Sequence, residues 1–241
     1  MNLPNFEKIF LPDFLAQKKG ALLRRREKKF LVPRKILPEI FEFLRANFLC
    51  IAEKNREIFF YKTIYFDTKN FYFFFAHKNG RKNRAKLRIR EYENRRIFLE
   101  LKEKTNKNFK KKTRQIFGGN FAAEKNFFEK KLEKFNLQNE NFEQKLTIFY
   151  RRINFVSRDF AVRASVDFEI SADEKKILEN FAILEIKFAE KNSLEKIFEQ
   201  FLRRKFKIRP TGFSKYCVGI CAKNPELPRN SWKKIFEKYQ N

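Results

Sequence analysis

The sequence predicts an α+β protein: an antiparallel β-barrel with a charged lumen, flanked by helices. Three observations predict it. Short segments alternate charged and apolar residues with the period of a strand, and the charged side of each mixes Lys or Arg with carboxylates. Other segments carry apolar residues at helical spacing and would cover an apolar sheet face. The chain also carries 56 Lys and Arg against 29 Asp and Glu, a net charge of +27, which calls for a polyanionic partner.

The 241 residues include 43% hydrophobic ones, 33 of them Phe, enough for a sizeable core. Part of the Lys excess, like that of Asn, Phe and Ile, reads as A/T-rich codon usage rather than function. The cysteines, Cys50, Cys217 and Cys221, are odd in number and lack CxxC spacing, which argues against a disulfide framework or a zinc site. Cys217 and Cys221, four apart, are expected as small core residues on one helix face. No run approaches the roughly 18 apolar residues of a membrane span. Residues 1–20 lack a basic start followed by an apolar core, so no signal peptide is read and a cytoplasmic location is expected. With no repeat and no Gly/Ser/Pro-rich linker, the expected organisation is an N-terminal lead (1–20), one domain (21–222) and a helical tail (223–241).

In order, residues 24–32 are expected as a strand, and 38–48 as a helix with Pro38 in its first turn and Ile40, Phe41, Leu44 and Phe48 on one face. Residues 59–67, 86–92 and 96–104 are expected as strands, the last two joined by Glu93-Asn94-Arg95. Gly118-Gly119-Asn120 is a turn before a helix over 121–135. Strands over 147–155, 160–170 and 182–188 precede a helix over 194–206 with Ser193 as N-cap, a short helix over 214–221, and an amphipathic tail over 231–239.

The alternation places Arg25, Glu27 and Lys29 on one face, and likewise Lys86, Arg88, Arg90 and Tyr92; Glu100, Lys102 and Lys104; Arg163, Ser165, Asp167 and Glu169; and Glu185 and Lys187. A single such strand would be read as facing water. Five of them, together with helices to cover the apolar side, fit a barrel with its charged face inward. Two like charges about 6 Å apart repel by roughly 3 kcal/mol at an effective dielectric near 20. Interleaved carboxylates relieve part of that strain and a bound polyanion the rest. Arg forks and Lys ammoniums suit phosphate, and the carboxylates suit a hard divalent ion.

Nine pieces, in order, resemble the VTC domain, the polyphosphate polymerase branch of the triphosphate tunnel metalloenzyme (CYTH-like) superfamily. They are Arg25-x-Glu27-x-Lys29-Phe30, Tyr65-Phe66-Asp67-Thr68, Lys86-x-Arg88-x-Arg90-x-Tyr92, Leu99-Glu100-x-Lys102-x-Lys104, Lys112-x-Arg114, Tyr150-x-Arg152, Arg163-x-Ser165-x-Asp167, Leu184-Glu185-x-Lys187 and Ser214-Lys215-Tyr216. The resemblance spans about residues 24–222 and implies the triphosphate tunnel fold. It also implies transfer of the ATP γ-phosphate onto a growing polyphosphate chain with Mn²⁺ or Mg²⁺. It assigns catalytic roles to Lys29, Arg88, Arg90, Lys102, Arg152, Arg163 and Lys215, and phosphate binding to Lys86, Lys104, Lys112 and Arg114. Glu185 would hold the metal, with Glu100 and Glu27 as further candidates.

The triphosphatase and cyclase branch usually begins with Glu-x-Glu-x-Lys; Arg25 at the first of those positions leans toward the polymerase. The chain has no room for the phosphate-sensing and membrane domains of the eukaryotic polymerase, so a free-standing domain is expected. The alternatives are a tunnel triphosphatase and a non-catalytic polyphosphate- or nucleic-acid-binding protein. Nucleic acid is disfavoured because most Phe alternate onto core faces instead of forming an exposed stacking platform. The only histidine, His77, falls in a loop-like stretch, is expected at the surface and is given no role. The sequence sets no oligomeric state.

Overall fold

The computed structural model describes residues 3–16, 26–93, 96–105, 110–188, 192–233 and 235. Its elements run β1 (Lys8–Phe10), α1 (Leu11–Ala16), β2 (Arg26–Pro33), α2 (Leu37–Asn47), β3 (Phe48–Ala52), β4 (Ile58–Thr68), α3 (Tyr72–Lys78), β5 (Arg84–Tyr92), β6 (Ile97–Lys104) and β7 (Lys110–Ile116). Then follow α4 (Phe121–Glu124), α5 (Glu129–Leu132), β8 (Phe142–Ser157), β9 (Val162–Ala172), β10 (Lys175–Lys176), β11 (Phe181–Phe188), α6 (Ser193–Phe206) and α7 (Lys215–Lys223). The strands form one sheet in the order β2-β11-β9-β8-β4-β5-β6-β7, antiparallel along that path. β1 joins through β3 as a parallel pair, so residues 8–10 of the N-terminal lead belong to the same sheet.

The sheet curls with its charged side inward. Lys102 on β6 reaches Glu27 on β2 at 3.5 Å, although these strands lie near opposite ends of the strand order. Among the described residues no ladder joins β2 to β7, so the barrel read from the sequence is an open curl. The segment before α7 lies along the gap: Thr211 N–H donates to the Lys29 carbonyl at 2.7 Å, and Lys29 Nζ to the Phe213 carbonyl at 3.4 Å.

The outward face is apolar and covered. Phe30, Val32, Phe155, Val166, Leu184 and Ile186 are buried in one cluster with Ile40, Phe41 and Leu44 of α2 and Phe198 and Leu202 of α6. Each such side chain contributes about 1.5–3 kcal/mol on burial. A second cluster joins Leu87, Ile89, Leu99 and Leu101 to Phe128 and Leu132 of the 121–135 region.

Several boundaries differ from those the sequence suggests. The cap of α6 is Asn192, not Ser193: Asn192 is extended, and its side chain accepts from the Glu195 N–H at 3.2 Å. Residues 121–135 form two short α-helical turns linked by 3₁₀ turns, because Phe128 (φ −102°, ψ 3°) leaves helical geometry as its ring is buried. Glu169 does not share the inner face with Asp167. It sits at a bulge with φ +49°, where the alternation slips, and pairs outside with Arg151 at 3.1 Å. Arg25, Asn94, Arg95 and residues 236–239 of the tail lie outside the described residues. Trp232 of the tail is buried against Phe74 of α3.

The helix predicted over 214–221 is α7, capped by Ser214, and it plugs one end of the inner side. A Cβ on Gly219 would lie 2.6 Å from Leu146 Cδ2 and 3.0 Å from Ile148 Cδ1, so α7 sits directly on β8. Cys50, Cys217 and Cys221 are free and buried, as small core residues.

Candidate active site

Cross-strand register brings the charged rows together inside the curl. Arg88 lies opposite Glu100, and Glu100 opposite Arg114; Lys86 lies opposite Lys102, and Lys102 opposite Lys112. On the other wall Lys29 faces Glu185 across β2 and β11, and Asp167 faces Arg152 across β9 and β8.

Most inner carboxylates are held by two bases. Glu100, fully buried, accepts from Arg88 Nε at 2.9 Å, from Arg88 Nη2 at 2.6 Å and from Lys112 Nζ at 3.1 Å. Burial alone would raise its carboxyl pKa, but Arg88, Arg90 and Lys112 outweigh it and hold the group far below the usual carboxylate range. Asp167 accepts from Arg152 Nη2 at 2.7 Å and, on the same oxygen, from Lys215 of α7. Burial opposes ionisation there too; Arg152 and Lys215 overcome it and bring the pKa down to about 2. Glu185 pairs with Lys187 at 3.1 Å and lies 3.9 Å from Arg152. It is held well below its ordinary value by Lys187, Lys29, Lys102 and Arg152, against burial. Glu27 is shared by Lys29 at 3.7 Å and Lys102 at 3.5 Å.

Three bases have no such partner. Among the described residues no carboxylate lies within 4 Å of Arg84, Lys86 or Arg90. Lys86 donates to Ser214 Oγ at 2.7 Å. Arg90 lies 5.9 Å from the centre of the Tyr61 ring, which stacks on Tyr150. Burial lowers lysine pKa values even beside a carboxylate: Lys102 drops well below the ordinary value, with Lys29 and Arg88 adding to the effect of burial against Glu27, and Lys112 drops to about 8 against Glu100.

The structure therefore brings Lys29, Lys86, Arg88, Arg90, Lys102, Lys112, Arg152, Lys215, Glu27, Glu100 and Glu185 into one interior. Arg163, Lys104 and Arg114 stand at its rim. Arg163 packs on Phe14 of α1 at 4.9 Å, Arg114 is exposed over Phe98 at 4.5 Å, and Lys104 lines a cavity at the gap. His77 is not on a surface loop. It belongs to α3, half-buried, and lines that same cavity.

Sequence reasoning gave no site role to Asp167, which anchors two of the bases, or to the inner tyrosines Tyr61, Tyr65 and Tyr150. Asp67, inside the Tyr65-Phe66-Asp67-Thr68 piece, is structural. It accepts from the N–H groups of Phe73 at 2.9 Å and Phe74 at 3.0 Å, capping α3, and from the Tyr216 hydroxyl of α7.

Among the described residues no group of three or more His, Cys, Asp or Glu is placed to hold a metal ion. Glu185 nonetheless offers an ionised hard-oxygen donor among several bases. One or two carboxylates with substrate phosphates is the way Mg²⁺ is usually held, so the residues fit such an ion.

A curled antiparallel sheet with helices outside and paired ions inside defines a protein of the triphosphate tunnel, CYTH-like class. The chain belongs to the VTC domain family, whose profile matches residues 24–224. Among solved structures it is similar to one entitled a putative adenylyl cyclase, HpAC1, from Hippeastrum that "reveals a dominant" triphosphatase activity. The identity is 17%, 85% of this chain and 98% of that chain are covered, and the TM-score is 0.50, a likeness of fold. The PH1819 protein from Pyrococcus horikoshii OT3 aligns at 15% identity over 80% of this chain and 97% of that one, with a TM-score of 0.44. No curated protein matches the chain. Among the described residues no helix is long and apolar enough to cross a membrane.

Proposed function

We propose that the chain is an ATP-dependent polyphosphate polymerase of the cytoplasm, moving the γ-phosphate of ATP onto the end of a polyphosphate chain as ADP leaves. The observation that carries this reading is the interior itself, where bases outnumber carboxylates and the carboxylates serve to hold bases in place. Phosphoryl transfer needs in-line positioning and charge neutralisation rather than a covalent catalyst. In this reading Arg88, Lys102 and Arg152, fixed in advance by Glu100, Glu27 and Asp167, bind and orient the triphosphate together with Arg90. Lys29, Lys86, Lys112 and Lys215 hold the phosphate chain, with Arg163, Lys104 and Arg114 guiding it at the rim. Glu185 holds Mn²⁺ or Mg²⁺, which when bound neutralises charge on the phosphate oxygens. Glu100, fully buried with both oxygens taken by Arg88 and Lys112, serves better as a positioning group than as a metal ligand, and Glu27 stays a further candidate beside Glu185.

A tunnel triphosphatase is the second reading, and the HpAC1 likeness keeps it in view. The interior carboxylates favour transfer to phosphate over hydrolysis, since Glu100, Asp167 and Glu185 are engaged by bases and poorly placed to activate water. Incubation of the protein with ATP and Mn²⁺, followed by a gel stained for polyphosphate, tests both. Long chains that disappear with chelator, with Glu185→Ala and with Lys102→Ala are expected. Orthophosphate without polymer would establish the triphosphatase instead.

A further inference from the structure

At the gap in the sheet, a cavity of about 310 Å³ opens between the free edge of β2, the strands β5 and β6, and the segment 210–213. Arg84 and Lys86 of β5 and Lys102 and Lys104 of β6 line it, together with Lys28 and Lys29 of β2. Its carboxylates are Glu27, shared between Lys29 and Lys102, and the buried Glu103. Lys28 is engaged by Glu195 at 2.5 Å and also by Glu199, both on α6. Arg84 donates to the Arg81 carbonyl at 2.8 Å, which leaves most of its five N–H donors available. His77 of α3 completes the wall, its ring 6.1 Å from that of Trp232. Burial, then Lys86, Arg84 and Lys29, hold its imidazole neutral, with a pKa down to about 2.

We infer that this cavity is a second station for a linear phosphate chain, continuous with the interior through Lys29, Lys86 and Lys102 and adding Arg84 as a ligand. The inference rests on the reading of the interior as a triphosphate and polyphosphate site, and it extends that site sideways through the unclosed sheet. Arg84 and Lys86, beside an open space and with no carboxylate of the described residues within 4 Å, are strained when it is empty, and an anion relieves them. The wall has no exposed aromatic platform, since Phe213 is buried, so the cavity suits bare phosphates and not stacked bases. A ligand too short to reach beyond the interior does not touch Arg84, whereas a longer one does. Affinity therefore rises with chain length.

His77 is the sole histidine, so one ring resonance reports on this cavity without assignment. Tripolyphosphate and a longer linear polyphosphate are titrated separately into the wild-type chain and Arg84→Gln, following affinity by calorimetry and the His77 ring by NMR. The longer chain is expected to bind more tightly and to shift the His77 resonance. Arg84→Gln should weaken the longer chain by about tenfold, the worth of one charge-assisted hydrogen bond, and leave tripolyphosphate unchanged. Equal losses for both ligands would overturn the inference while leaving the interior site standing. So would a silent His77 resonance in the wild-type chain with the longer polymer bound, a result that does not depend on the variant folding. A single-stranded oligonucleotide that moves the resonance at the same concentration would overturn it as well. If neither phosphate binds, the reading of the interior fails and takes the inference with it.

Discussion

The deep interior and the gap in the sheet use the same residue types to opposite ends. In the interior, Glu100 and Asp167 each clasp two bases, so Arg88 and Arg152 are fixed before any ligand arrives. At the gap, Arg84 and Lys86 have no carboxylate of the described residues within 4 Å, although Glu27 and Glu103 line the same cavity. The first arrangement is preorganised: it contributes to the stability of the fold and costs little reorganisation on binding. The second is destabilising when empty and would be relieved by a ligand. Counting charges along the sequence does not separate the two; pairing them across strands does.

The sharpest way to break this comparison is to remove an interior anchor. Asp167→Asn leaves Arg152 and Lys215 buried beside a neutral amide and should lower stability by about 3 kcal/mol in urea denaturation. At the gap, Arg84→Gln removes an uncompensated charge and should lower stability not at all. Equal effects of the two substitutions would erase the distinction.

The next effect concerns the plug that carries Lys215 into the interior. Gly219→Ala drives a methyl group into Leu146 and Ile148 and should cost about 2 kcal/mol, with weaker ligand binding as α7 shifts. A neutral result in thermal unfolding would mean that α7 does not seat on β8.

Much of this was legible in the sequence because a strand's period of two is short-range. Lys86, Arg88 and Arg90, or Glu100 and Lys102, declare a common face within a few residues. What was hidden depends on distant segments or on missing periodicity. β7 reads as a run of bases on both faces, Lys110 to Lys112, before Thr113 and Arg114, and shows no alternation that marks a strand. α3 is a Tyr-Phe-Phe-Phe run buried on several sides, with no polar stripe to mark a helix, and so His77 was misplaced. The bulge that turns Glu169 outward has no local sign in the sequence. The open gap depends on Thr211 meeting Lys29, a contact across most of the chain.

A smaller effect, of the order of tenfold per pH unit for each linked proton, separates the empty and filled states by sign. Free Lys112 titrates near 8 rather than near 10.5, mainly through burial. Between those values the folded chain has released a proton that the unfolded chain retains, so the empty protein gains stability as pH rises from about 8. A bound polyanion holds that proton in place, so tripolyphosphate affinity should fall over the same range, with proton uptake visible by calorimetry in buffers of different ionisation enthalpy. Stability and affinity moving in the same direction would remove Lys112 from the binding surface.

The smallest effect provides the control outside both regions. Asn192 caps α6 on the covered, apolar side of the sheet, where Phe198 and Leu202 are buried. Asn192→Ala removes one acceptor from the first turn and should cost about 1 kcal/mol in denaturant, close to the ordinary value for a lost cap. It touches no base of the interior, so tripolyphosphate affinity and its pH dependence should match the wild type. A change in affinity would mean that the outer layer sets the spacing of Lys29 and Glu185 through β2 and β11, the strands whose outward residues share a cluster with α6. Binding would then depend on the curvature of the whole sheet and not on the ion pairs alone.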